Sequence, residues 1–74
     1  GVTTMFNSKL SSLIEDAVMD CLAYGRGTAS HSARGTVYDV TAEWAENETD
    51  IEITIKENDI VRLTFTEEVP MVFR

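Results

Sequence analysis

The residues in this chain with chemical potential are mostly carboxylates. Ten lie between Asp39 and Glu68: Asp39, Glu43, Glu46, Glu48, Asp50, Glu52, Glu57, Asp59, Glu67 and Glu68. Within that stretch only Lys56 and Arg62 oppose them. Crowded carboxylates suit three kinds of chemistry. A general acid–base pair needs a cleft and one raised pKa, and an open strand face supplies neither. A calcium loop over residues 46–52 would need the glycine and ligand spacing of an EF-hand, which the sequence lacks. The third use is electrostatic, as a surface that meets basic groups on another molecule.

Other reactive types are sparse. Nucleophilic catalysis sets a base beside the nucleophile. Cys21, the single cysteine, lies on an apolar helical stripe and reads as a buried structural residue. His31, the single histidine, falls in a run of small residues and reads as a solvated loop residue. One cysteine and one histidine make neither an intrachain disulfide nor a structural zinc site. No enzyme, cofactor or metal is expected.

These residues must be carried by some framework, and hydrophobic periodicity supplies it. From Phe6 to Tyr24, Phe6, Leu10, Leu13, Ile14, Ala17, Cys21 and Tyr24 follow helical spacing, and Val18 and Leu22 widen the stripe. The helix is expected over residues 5–24, with Thr3 or Thr4 as N-cap and Gly25 as C-cap. Residues 25–35 hold three glycines, small hydroxylated residues and no large apolar side chain. Their composition predicts a flexible linker, with Arg26, His31 and Arg34 forming a basic patch. A phosphate-cradling loop is the other reading of such a segment. No Walker spacing supports it.

From Thr36 onward the pattern alternates. Tyr38, Val40, Ala42 and Trp44 share one face of a first strand, and Asp39, Thr41 and Glu43 share the other. Ile51, Ile53 and Ile55 define a second strand, and Val61, Leu63 and Phe65 a third. A loop over residues 45–50 then sets Trp44 opposite Ile51, Glu43 opposite Glu52, Thr41 opposite Thr54 and Asp39 opposite Lys56. The tail Val69–Phe73 contains Pro70 and suits an edge strand or an extended arm. The expected architecture is α+β: one N-terminal helix on a three- to four-stranded antiparallel sheet, over residues 36–74 of a single domain spanning 1–74.

The 74 residues allow only a thin core, and the formal net charge is −7. Such a field repels nucleic acid and anionic membranes and draws in basic partners. Solubility alone is the competing reading of that charge. A free cysteine with no signal segment points to the cytoplasm. Met5 reads as a native start, and Asn47-Glu48-Thr49 as a chance glycosylation match.

Helix-then-antiparallel-sheet order resembles double-stranded-RNA-binding domains, although the charge has the opposite sign. In size, charge and strand-rich build the chain is similar to small acidic inhibitors encoded by phages, including the DNA mimics that inhibit uracil-DNA glycosylase. That resemblance implies a basic protein partner and assigns no residues. The alternating pattern itself points to Asp39, Glu43 and Glu52 on the outer face, with Glu46, Glu48 and Asp50 at the hairpin tip, as the partner-binding set. The alternative is a homodimeric or assembly subunit using Met19, Leu22, Met71 and Phe73 as contacts, with the acidic face serving only solubility.

Overall fold

A computed structural model describes residues 8–70. One helix, α1 (Ser8–Tyr24), precedes four strands: β1 (Arg26–Ala33), β2 (Thr36–Trp44), β3 (Asp50–Glu57) and β4 (Ile60–Glu68). The strands form one antiparallel sheet in the order β1-β2-β3-β4. The fold is therefore α+β, a helix on a four-stranded antiparallel sheet. Residues 5–7 and the expected caps Thr3 and Thr4 lie outside the described residues.

The core forms where the helical stripe meets the inner sheet face. Leu10, Leu13, Ala17 and Cys21 pack with Val40, Ala42, Ile51, Ile53, Ile55 and Val69, and all ten are buried. Tyr38, Trp44, Leu63 and Phe65 border this cluster, as their alternation predicts. Val69 docks through its N–H, which donates to the Thr49 carbonyl at 3.1 Å. Pro70 follows, exposed. At the other end of α1, Gly25 takes φ +91° and donates to the Cys21 carbonyl at 2.8 Å. This is the left-handed C-cap that glycine permits.

Residues 26–33 correct the linker expectation: they are a full strand, and the fourth strand enters at this side of the sheet. Gly27 explains how. It pairs with Ala42 and is buried beneath α1. A side-chain carbon there would run into the Ala17 carbonyl and stand 2.8 Å from Cβ of Asp20. Small residues on β1 thus let the helix backbone settle directly onto the strand, and packing replaces the missing large side chains. A two-residue turn, Arg34–Gly35, links β1 to β2 with φ values of 52° and 79°. Positive φ at both positions is the type I′ pattern that matches strand twist.

Two side chains stand away from their expected faces. Tyr24 belongs to the helical stripe by spacing but is 84% exposed, because α1 ends there and the chain turns into β1. The alternation of β4 points Val61 inward, yet it is 54% exposed. The β3–β4 ladder shifts register between Ile55 and Lys56, so Leu63 faces Ile55 while Val61 pairs with Lys56. An irregularity of this kind turns the residues beyond it to the other face.

Candidate interaction surface

The outer face of the sheet is a grid whose rows follow from register. Successive strand residues alternate faces, so Glu43, Thr41 and Asp39 on β2 align with Glu52, Thr54 and Lys56 on β3. These pairings, with Trp44 opposite Ile51, are those the alternation predicts. β1 extends the rows with Arg26 opposite Glu43, Thr28 opposite Thr41 and Ser30 opposite Asp39. β4 adds Thr66 opposite Glu52 and Thr64 opposite Thr54. A row of four threonines (Thr28, Thr41, Thr54, Thr64) therefore crosses the middle of the face.

That row divides the charge. On one side Glu43 faces Glu52, and next to them Asp50 faces Glu68. On the other, Asp39 faces Lys56 within a shallow, solvent-open groove of about 460 Å³ that Thr28, Ser30, Thr41 and Asp59 help line. The acidic character is thus concentrated at the end of the β2–β3 hairpin. Among the described residues the one ion pair is Arg62–Glu57, at 3.6 Å near the opposite end.

The hairpin tip is held by its own hydrogen bonds. Asn47 Oδ1 accepts from the backbone N–H groups of Thr49 and Asp50, each at 3.1 Å, and Asn47 Nδ2 donates to Asp50 Oδ2 at 3.0 Å. Glu48 N–H donates to the Ala45 carbonyl and Ala45 N–H to the Asp50 carbonyl, each at 2.9 Å. Glu48 has a φ of 59°, a conformation these bonds enforce. Glu46 and Glu48 consequently project from an ordered turn and are exposed.

Of the six carboxylates expected to bind a partner, the fold groups Glu43, Glu52 and Asp50 on one end of the outer face, with Glu46 and Glu48 on the adjoining tip. Asp39 stands two rows away and faces a lysine. Sequence reasoning missed two neighbours. Glu68 joins the acidic end because β4 pairs through to Asp50, and Arg26 reaches its edge because β1 is a strand. Composition masked β1, and with it Arg26.

The residues considered for chemistry are placed apart. Cys21 is fully buried, and its Sγ–H donates to the Gly25 carbonyl at 3.7 Å. Burial pushes its thiol pKa above the ordinary value, and the negative charge of Glu43 adds to the shift. His31 pairs with Tyr38 in the β1–β2 ladder and is half-buried. Among the described residues no group of three or more His, Cys, Asp or Glu side chains is arranged to hold a metal ion. No helix among them is long and apolar enough to cross a membrane. Of the expected oligomer contacts, Met19 is 64% exposed, Leu22 packs partly against the core, and Met71 and Phe73 lie outside the described residues.

No protein-family model matches the chain, and no curated protein or solved structure matches it either.

Proposed function

We propose that this protein is a non-enzymatic interaction protein that presents the acidic end of its sheet to a basic surface on a partner protein. The carrying observation is Glu43 opposite Glu52, with Asp50 opposite Glu68 beside them. Directly opposed like charges weaken a sheet, and a chain shaped by stability alone would avoid two such pairs in neighbouring rows. A basic partner reverses the sign: each carboxylate then gains a counter-charge, and association is fast and salt-sensitive.

The partner class that fits best is a nucleic-acid-binding protein, whose cationic groove is built for phosphates. The carboxylates form a compact patch bounded by the threonine row, so they fill one cluster of cationic side chains rather than a long groove. This is the mode of an inhibitor that imitates part of a nucleic acid, as in phage-encoded inhibitors. A buried reduced thiol at Cys21 is compatible with work in the cytoplasm.

The test is capture from host lysate at low and high salt, comparing the wild-type chain with Glu43→Gln/Asp50→Asn/Glu52→Gln/Glu68→Gln. The reading expects the wild type to retain basic, nucleic-acid-binding proteins in a salt-sensitive manner and the variant to lose them. Equal retention by both chains would remove the mechanism.

A further inference from the structure

Helix α1 buries one face against the sheet and turns the other to solvent, and that outer face is not simply polar. Met19 is exposed at its centre. One turn away from Met19 lie Glu15 and Asp16 on the N-terminal side and Leu22 and Ala23 on the C-terminal side. Leu22 is half-buried and Ala23 exposed, so three apolar side chains adjoin. Asp20 lines their flank on the side of β1, over Gly27, and the exposed Tyr24 follows it by one turn. From Leu10 to Gly25 the sequence has no lysine or arginine.

The carboxylates of this face are placed against the interests of the helix. Asp16 and Asp20 are four residues apart, a like-charge spacing that weakens a helix. The helix dipole favours acidic residues in the first turn and basic ones in the last. α1 has neither, and Asp20 stands close to its negative end. None of the three carboxylates forms an ion pair among the described residues. Beside them, methionine and tyrosine are side chains that the cores of interfaces favour.

We infer that this face docks a basic amphipathic helix of a partner protein. Met19, Leu22 and Ala23 meet its apolar stripe, and Glu15, Asp16 and Asp20 meet the lysines or arginines beside that stripe. The patch is straight and about 14 Å long at the helical rise, which suits another helix. It is also firmly held, because α1 rests directly on Gly27. Charge selects this occupant. A second copy laid on the same face would bring Asp16 and Asp20 against their own counterparts, with no cation in the patch to meet them. Nucleic acid and anionic membranes are repelled for the same reason. The face lies across the sheet from Glu43 and Glu52, so the inference stands apart from the outer-face reading and either can fail alone.

Fluorescence anisotropy tests it on the full chain with a labelled leucine–lysine peptide of about 18 residues, patterned as an amphipathic helix. One comparison peptide has the same composition in scrambled order, and another has glutamate in place of lysine. The wild type should bind the patterned peptide about tenfold or more tightly than either, and less tightly as salt rises. Asp16→Asn/Met19→Ala/Asp20→Asn should lose that advantage. Its thermal midpoint should not fall, since a like-charge pair is gone and alanine suits a helix. Met19→Ala alone should weaken binding with charge and fold unchanged. Glu43→Gln/Asp50→Asn/Glu52→Gln/Glu68→Gln should bind the patterned peptide as the wild type does. Equal binding of patterned and scrambled peptides overturns the proposal, as does wild-type affinity in the α1 variants or a loss confined to the outer-face variant. Self-association of the wild type that Met19→Ala abolishes would give the face to a second copy and overturn it too.

Discussion

Glu43 stands directly opposite Glu52 in the β2–β3 ladder. The hairpin needs no such pair to form, because Trp44 opposite Ile51 and Ala42 opposite Ile53 already fix its register from the buried side. The carboxylates are therefore free to be chosen for what they meet outside the molecule. Arg26 is the ladder neighbour of Glu43 on its other side, and no ion pair joins the two among the described residues.

Glu52→Lys should convert the repulsion into a cross-strand attraction. Its two ladder neighbours in that row are Glu43 and Thr66, so the new lysine meets no cation. The expected gain is about 0.5–1 kcal/mol at low ionic strength, shrinking as salt is added. Urea unfolding at two salt concentrations reads it. The same variant should bind a basic partner more weakly, separating what helps the fold from what helps the contact. A less stable variant at low salt would contradict the assigned pairing.

Gly27→Ala should be far more damaging than its size suggests. The added carbon meets the backbone carbonyl of Ala17, which cannot swing away as a side chain can. A loss of roughly 3 kcal/mol is expected, on the scale of core overpacking. Gly35→Ala has open space but a φ of +79°, and should cost about 1 kcal/mol through backbone strain alone. Denaturant unfolding of both variants checks the order; equal losses would place α1 too close to β1 in this account.

Asn58 and Asp59 form the β3–β4 turn with φ values of 49° and 67°. Asn58 is well used: its Oδ1 accepts from Val37 N–H at 2.9 Å, and its own N–H donates to the Val37 carbonyl at 2.8 Å. Asp59 makes no comparable bond and holds a conformation that glycine adopts without strain. Asp59→Gly should raise stability by roughly 0.5 kcal/mol through relief of that strain. Thermal unfolding would show a higher midpoint; a lower one would contradict the turn assignment.

Cys21 should resist alkylation in the folded protein and react quickly once unfolded. Burial and Glu43 raise its folded pKa above the unfolded value, so the neutral thiol is the form the fold favours. The sign follows: this contribution is complete below the ordinary thiol pKa and is lost as pH rises through the raised one. Stability should therefore decline on the alkaline side, and Cys21→Ala, which has no proton to lose, should flatten that decline. Unfolding midpoints across alkaline pH measure it.

The sheet's centre was legible because its residues are large and alternate. Ile51, Ile53 and Ile55 against Val40 and Ala42 allow one register, and it carries Glu43 to Glu52. β1 was not legible because what stabilises it is absence of bulk. Gly27 lies under a helix backbone, a contact that leaves no periodic signal, and its Arg34–Gly35 turn lacks the Asn-Gly or Asp-Gly pair that usually marks a type I′ hairpin. Val61 departs from its alternation for a related reason: a register shift is a property of two strands together, and neither strand's sequence announces it.

The central claim is that the clustered carboxylates at the β2–β3 end bind a basic partner, and lysate capture with the four-carboxylate neutral variant tests it most directly. The account predicts that the wild type retains a defined set of basic proteins, that high salt releases them, and that Glu43→Gln/Asp50→Asn/Glu52→Gln/Glu68→Gln retains none while remaining folded. The same proteins held equally by both chains, at either salt concentration, would contradict it.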